Sequence, residues 1–134
     1  MPSNVALDSS VLIEHFRIKN KDHSWLYRLM PEFEELCIST FVLYEILIGQ
    51  TEVHLFDSTA VLEELTILSC NAEIVAKAAE IHLALKKKNK LIDHFDMLIA
   101  ATAVVHDVPL ATLNRKHFER IEGLILVDDT RDSY

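Results

Sequence analysis

The residues of this chain that could do chemistry together are carboxylates scattered far apart in the sequence. Asp8 follows the apolar run Val5-Ala6-Leu7. Glu45 sits among Leu43, Tyr44, Ile46 and Leu47. Asp93 and Asp96 open LIDHFDMLIAATA, a segment that is otherwise almost wholly apolar, and Asn114 follows Pro109-Leu110-Ala111-Thr112. Carboxylates brought within a few ångströms of one another repel, and one takes up a proton unless a cation neutralises them. A hard divalent ion resolves the repulsion. Mg²⁺ prefers oxygen ligands, keeps several waters and commonly uses one or two carboxylates plus phosphate. Such an ion activates water and stabilises charge on a phosphodiester. An acidic pocket of this kind, without a nucleotide-cradling loop, suits a nuclease.

Each residue also has a plainer reading. Asp8 after a strand fits a turn or cap. Glu45 fits the wet face of an amphipathic helix. Asp93 fits an N-cap, with Asp96 well placed in the first helical turn. Asn114 fits a turn. The case for a site rests on their joint placement, which depends on the elements that carry them.

Val5–Leu7, Leu36–Ile38, Thr66–Cys70, Pro109–Ala111 and Leu124–Val127 read as short buried strands. Helices are expected over 11–16, with Ser9 or Ser10 as cap, over 24–30, over 40–48 with a stop at Gly49, and over 53–65. Further helices are expected over 73–90 after the cap Asn71, from Asp93 or His94 to about His106, and over 116–120. The last residues are polar and read as frayed. Short apolar strands alternating with helices predict an α/β domain with a mainly parallel sheet of about five strands. Sites in such sheets form beyond the carboxyl ends of the strands. Asp8, Ser39 then Glu45, Thr112 and Asn114 all follow strands, and Asp93 and Asp96 begin a helix expected near the same edge.

Bulk properties narrow the classes. The 134 residues predict one domain spanning 1–134, and half are hydrophobic, which argues against disorder. Two glycines are too few for a P-loop or a dinucleotide fingerprint. No apolar run approaches a membrane span, and the start lacks the basic-then-apolar pattern of a signal peptide. Cys37 and Cys70 form no CxxC and read as small core residues in a reducing compartment, so the expected location is the cytoplasm. Net charge of −8 argues against bulk-charge binding of nucleic acid. The average conceals a basic run, Lys86, Lys87, Lys88 and Lys90, and a smaller one, Arg115 and Lys116. Either is a solvated helix end or a local basic patch that could face a nucleic-acid backbone. The seven histidines form no metal motif; His94, between the two acids, is the nearest to a ligand.

Three blocks carry a family resemblance. NVALDSSVLIEHF resembles the first strand and acid of PIN-domain ribonucleases. ISTFVLYEILIGQ resembles their second block, with Glu45 in the acidic position. LIDHFDMLIAATAVVHDVPLATLNRKHFERIEGLILV resembles their C-terminal half. The match covers nearly the whole chain, and its compact form is most similar to the VapC-type toxins of bacterial toxin–antitoxin pairs. The resemblance implies a three-layer α/β/α fold and an endoribonuclease dependent on Mg²⁺ or Mn²⁺. It implies metal ligands at Asp8, Glu45 and Asp96, with Asp93 a lesser candidate, Asn114 a secondary contributor, and Ser9 and Thr112 small hydroxyls supporting the site. It also implies an RNA substrate, a cognate antitoxin and a homodimer. Leu26, Leu29 and Phe33 could form a partner surface, but core packing is the stronger reading of them. Asp93 and Asp107 stand where the family often has glycine, and His117 where it often has an acid. A non-catalytic PIN-like interaction module is the alternative. Asp8 as a phosphotransfer nucleophile fits poorly, because Ser10 stands where an acid is wanted.

Overall fold

Val5, Ala6 and Leu7 are buried, and their strand is hydrogen-bonded on both sides, the environment in which a continuous apolar run replaces alternation. The computed structural model describes residues 3–49 and 59–131. Strand β1 (Asn4–Leu7) leads into α1 (Ser9–Arg17) and the short α2 (Trp25–Leu29). Strand β2 (Glu35–Ser39) leads into α3 (Thr40–Gly49). Then come β3 (Thr66–Leu68), α4 (Ala72–Lys87), α5 (His94–Val105), β4 (Leu110–Ala111) and α6 (Arg115–Phe118). Of the helix expected over 53–65, residues 59–63 are helical and residues 53–58 lie outside the described residues.

The sheet is parallel, in the order β3-β2-β1-β4. Right-handed crossovers set the helices joining β1 to β2 to β3 on one face, and those joining β3 to β4 on the other. The result is a sheet flanked by helices. Among the described residues it has four strands, where about five were expected. Leu126 makes only a parallel bridge to Leu110, with Leu110 N donating to Ile125 O at 2.9 Å and Val127 N to Leu110 O at 2.9 Å. Strand β4 is two residues long and offers no further partner for a ladder.

Helix α5 is apolar nearly all round because it is nearly all covered. Met97, Ile99, Ala100, Ala101, Thr102 and Ala103 are buried, and the small side chains let neighbours approach closely. The buried Thr102 hydroxyl donates to Leu98 O at 2.7 Å, so it leaves no unpaired donor. Leu26 and Leu29 belong to the core, with Phe33 packed against it. Helices α4 and α5 end on left-handed residues, Asn89 (φ 55°) and Asp107 (φ 54°). In each, the next amide bonds back to a carbonyl five residues earlier, Lys90 to Leu85 and Val108 to Ala103, which is the Schellman arrangement. That explains glycine as the usual residue at the Asp107 position. Among the described residues no helix is long and apolar enough to cross a membrane.

Of the polar end expected to fray, residues 132–134 lie outside the described residues, and Arg131 before them is held in place. Arg131 donates to both carboxylate oxygens of Glu14 (2.7 and 2.9 Å), to both of Asp129 (2.7 to 3.3 Å) and to His23 O. Glu14 Oε1 also accepts from Trp25 N, which ties α1, the start of α2 and the tail together. The hydrogen bonds from Arg131 hold the Asp129 carboxyl below its usual range. The three side chains are a quarter exposed or less, so Arg131→Ala should cost about 2 kcal/mol, read as a lower urea midpoint. The depressed Asp129 stabilises the fold above the ordinary carboxylate range. The gap between wild type and variant should therefore narrow as pH falls through the lowered value.

Candidate functional site

Strand β1 is where the topology reverses. The chain steps from β1 to β2 to β3 in one direction and returns to the opposite side of β1 for β4. In open α/β sheets this reversal opens a crevice at the carboxyl ends of the strands. Asp8 stands there, one residue past β1, with its amide bonded to Ala111 O at 2.9 Å.

Asp8 is 2 % exposed. Its Oδ2 accepts from Ser10 Oγ at 2.8 Å and from Thr112 Oγ1 at 2.8 Å. Those hydroxyls are fixed in turn, since Leu113 N donates to Ser10 Oγ and Asn114 N to Thr112 Oγ1. Two chain exits, after β1 and after β4, are thus laced through one carboxylate oxygen. Asp8 occupies the N-cap position of α1 without capping it. Ser9 and Ser10, expected as caps, instead serve the acids.

Glu45 comes from the second turn of α3. Ser39 starts that helix, its hydroxyl accepting from Val42 N at 3.2 Å. Glu45 Oε1 accepts from Ser9 Oγ at 3.1 Å. Asp96 lies in the first turn of α5, and its Oδ2 meets His117 Nδ1 at 3.4 Å. Each of the three acids therefore has one oxygen held by a side chain. Among the described residues the other oxygen of each, Asp8 Oδ1, Glu45 Oε2 and Asp96 Oδ1, has no hydrogen-bond partner. For Asp8 this leaves a buried polar atom unsatisfied.

The acids feel one another. Burial pushes the Glu45 carboxyl up; Asp8, Asp96 and Asp93 add repulsion, and the Ser9 hydroxyl opposes them. Burial likewise pushes Asp96 up, with Asp8 and Asp93 adding to it and His117 working against it. This donor set is all oxygen, anionic and short of positive charge, which suits a hard cation. Among the described residues, no group of three or more Asp, Glu, His or Cys side chains is arranged to hold a metal ion by itself.

The remaining candidates divide. Asp93 occupies the N-cap position of α5, but its side chain makes no capping bond, and it stays exposed with its charge felt by Glu45 and Asp96. Asn114 is exposed at the start of α6, also without a side-chain cap. Lys86 and Lys87 end α4, Lys88 caps it, and Lys90 follows two residues later. Lys88 and Arg120 share a groove of about 340 Å³ with Lys77, Glu80 and Glu122, so that surface is of mixed sign. Arg115 donates to Val127 O and pairs with Asp128, which commits its guanidinium to the tail, whereas Lys116 is exposed. His94 stacks edge-on against His82. The histidine beside the acids is His117, whose only signal in the sequence was its place in a position often acidic in PIN domains.

An acid with a raised folded pKa binds its proton more tightly folded than unfolded. Its contribution to stability therefore falls as pH climbs from the ordinary carboxylate value through the raised one. In chelator at neutral pH, Glu45→Gln and Asp96→Asn should each raise the melting temperature by a few degrees. The gain should shrink as pH falls through the raised values and vanish below the ordinary carboxylate range. Differential scanning fluorimetry across pH checks both signs.

The PIN domain family model matches residues 5–124. The chain is 33% identical over 129 residues to Ribonuclease VapC1 of Methanocaldococcus jannaschii, covering 94% of this chain and 88% of that one. It is 36% identical over 135 residues to Ribonuclease VapC1 of Rickettsia felis, covering 94% and 97%. Among solved structures, VapBC2 of Rickettsia felis bound to a DNA fragment from their promoter superposes with a TM-score of 0.80. That match has 25% identity and covers 92% of this chain and 97% of that one. The site at the head of β1 thus sits in a chain that belongs to the PIN-domain family, among the VapC ribonucleases.

Proposed function

We propose that this chain is a divalent-cation-dependent endoribonuclease, the toxin of a VapBC-type toxin–antitoxin pair. The observation that carries the reading is the arrangement of Asp8, Glu45 and Asp96. Each has one oxygen tethered and one without a partner, at the switch point of a PIN-domain sheet.

Asp8, Glu45 and Asp96 would hold the ion, here Mg²⁺ or Mn²⁺, one or two of them directly and the rest through water. When bound, the ion supplies an activated water and stabilises charge on the phosphodiester being cleaved. The chain's own residues supply rigidity. Ser10 and Thr112 fix the Asp8 carboxylate, Ser9 fixes Glu45, and the buried body of α5 fixes the backbone of Asp96. Asn114, exposed beside Thr112, would contribute through solvent. Lys86, Lys87, Lys88, Lys90 and Lys116 would hold the RNA backbone. Arg115, tied to the tail, would contribute less.

VapBC complexes among the structural neighbours support a cognate antitoxin as partner. An apolar groove of about 560 Å³ between Leu26, Met30 and Phe33 on one side and Val61 and Leu65 on the other would receive an apolar segment of it. A homodimer and a cytoplasmic location complete the reading.

The test is cleavage of a mixed pool of structured RNAs with Mg²⁺, with Mn²⁺ and with chelator. Asp96→Asn should lose about a hundredfold or more in rate, and Ser9→Ala, which frees Glu45 without removing it, about tenfold. Activity that survives both chelator and Asp96→Asn would sink the metal-site reading. Wild-type protein that neither cleaves nor binds a divalent ion would favour the non-catalytic module. Neutralising the lysine run should flatten the salt dependence of RNA binding.

A further inference from the structure

Three aromatic rings meet between α3 and α5, beside the acids those helices carry. Phe41, half-buried, packs against the core. The Phe95 ring lies 6.1 Å from it, tilted by 41°, and the Tyr44 ring lies 5.6 Å from Phe95, edge-on at 67°. Tyr44 is 51 % exposed, and neither it nor Phe95 belongs to the buried core. In the chain Tyr44 directly precedes Glu45, and Phe95 directly precedes Asp96. Neighbours in a helix point about 100° apart, so the rings flank the acids rather than mix with them. Farther along α3 the exposed surface turns aliphatic, at Leu47 and Ile48.

Charge does not serve a polyanion at this flank. Neither α3 nor α5 contains a lysine or an arginine, and the acids there repel phosphate. Aromatic rings supply affinity of another kind. Every nucleobase has a π face, so stacking tolerates any base and needs no opposite charge. A base offers that face only when it is splayed out of a duplex. A phosphate held at the acids is joined to its base through one sugar, which sets that base beside the flank. We propose that Tyr44 and Phe95 form a stacking platform for an unpaired base next to the phosphate being cleaved. The platform rests on the ribonuclease reading above, and it makes the ring pair a specificity-determining element that selects single-stranded over duplex RNA.

The test is fluorescence titration, in MgCl₂, of a short single-stranded RNA carrying a fluorescent aminopurine, whose emission falls on stacking. The parent is the full chain with Asp96→Asn, which slows cleavage, and Tyr44→Ala, Tyr44→Leu or Tyr44→Phe is added to it. Tyr44 is half exposed, so these variants should fold, and melting curves verify this. Tyr44→Ala and Tyr44→Leu should each weaken binding about tenfold and abolish the quenching. Tyr44→Phe should keep both, because the ring stacks and the hydroxyl does not. The dependence of affinity on salt should stay unchanged, since stacking displaces no counterions. The same RNA annealed to its complement should bind the parent and Tyr44→Ala alike. RNA affinity unmoved by Tyr44→Ala overturns the proposal. Recovery in Tyr44→Leu overturns it too; if light scattering then shows a lower molecular mass for Tyr44→Ala alone, the face is a contact between copies of the chain. If neither the parent nor the wild-type chain binds RNA, the ribonuclease reading fails as well, a distinct outcome.

Discussion

Everything near the head of β1 answers to one electrostatic constraint: carboxylates from three points of the chain, Asp8, Glu45 and Asp96, are kept close to one another and partly out of water. Such a cluster opposes folding, because each charge is desolvated and repelled at once. The surroundings offset that cost in different ways for each acid. Asp96 stands in the first turn of α5, where the helix dipole favours an anion. Asp8, the most buried, takes two hydroxyl donors on one oxygen. Glu45, in the middle of α3, has no helix end to help it and relies on Ser9. In every case a single oxygen is satisfied, and the cluster remains unbalanced until positive charge arrives.

The rest of the fold can be read as the frame that makes this imbalance tolerable. Strand β4 has only two residues, yet it brings Thr112 to Asp8 and pairs with β1 at the level of Leu7. A two-residue strand contributes little as a ladder; its value lies in the register it imposes. Helix α5 spends its apolar surface on neighbours from both the sheet and α4, so the backbone under Asp96 has little room to relax. A softer scaffold would let the carboxylates swing apart into water. The packed one holds them where an ion could be shared, at a cost in stability typical of functional sites.

Much of this was legible in the chain. Apolar runs ending in acids marked β1 and the start of α5, and Asn71 marked the cap of α4, whose side chain accepts from Ile74 N. Of the residues expected to converge on the strand ends, Thr112 bonds Asp8 directly and Glu45 and Asp96 each feel its charge, whereas Asn114 stays exposed. What escaped the sequence was orientation. Ser9 and Ser10 read as caps because Ser is a common cap; only the crossing of α1 and α3 shows that Ser9 faces Glu45. His117 was one histidine of seven with no motif, and its meaning depends on α6 folding back over α5. Arg131 lay in a polar tail with no periodicity, and its partner Glu14 is 117 residues away. The fifth expected strand is present only as a bridge, because ladder length depends on the partner strand, which an apolar run cannot report on its own.

The net charge of −8 is the remaining tension with an RNA substrate, and distance resolves it. At physiological ionic strength charges are screened over about 8 Å, so an approaching phosphate responds to its neighbours and not to the sum over the chain. Residues 86–92, KKKNKLI, hold four cations and no acid, and they run directly into Asp93 and the first turn of α5. One divalent ion at the site would take the chain from −8 to −6, but its local effect is larger than that difference. It would reverse the sign of the one patch where the acids concentrate. The same acids that make the bare chain repel a polyanion would make the loaded site attract one, so affinity for RNA and affinity for the ion should be coupled through the same few residues.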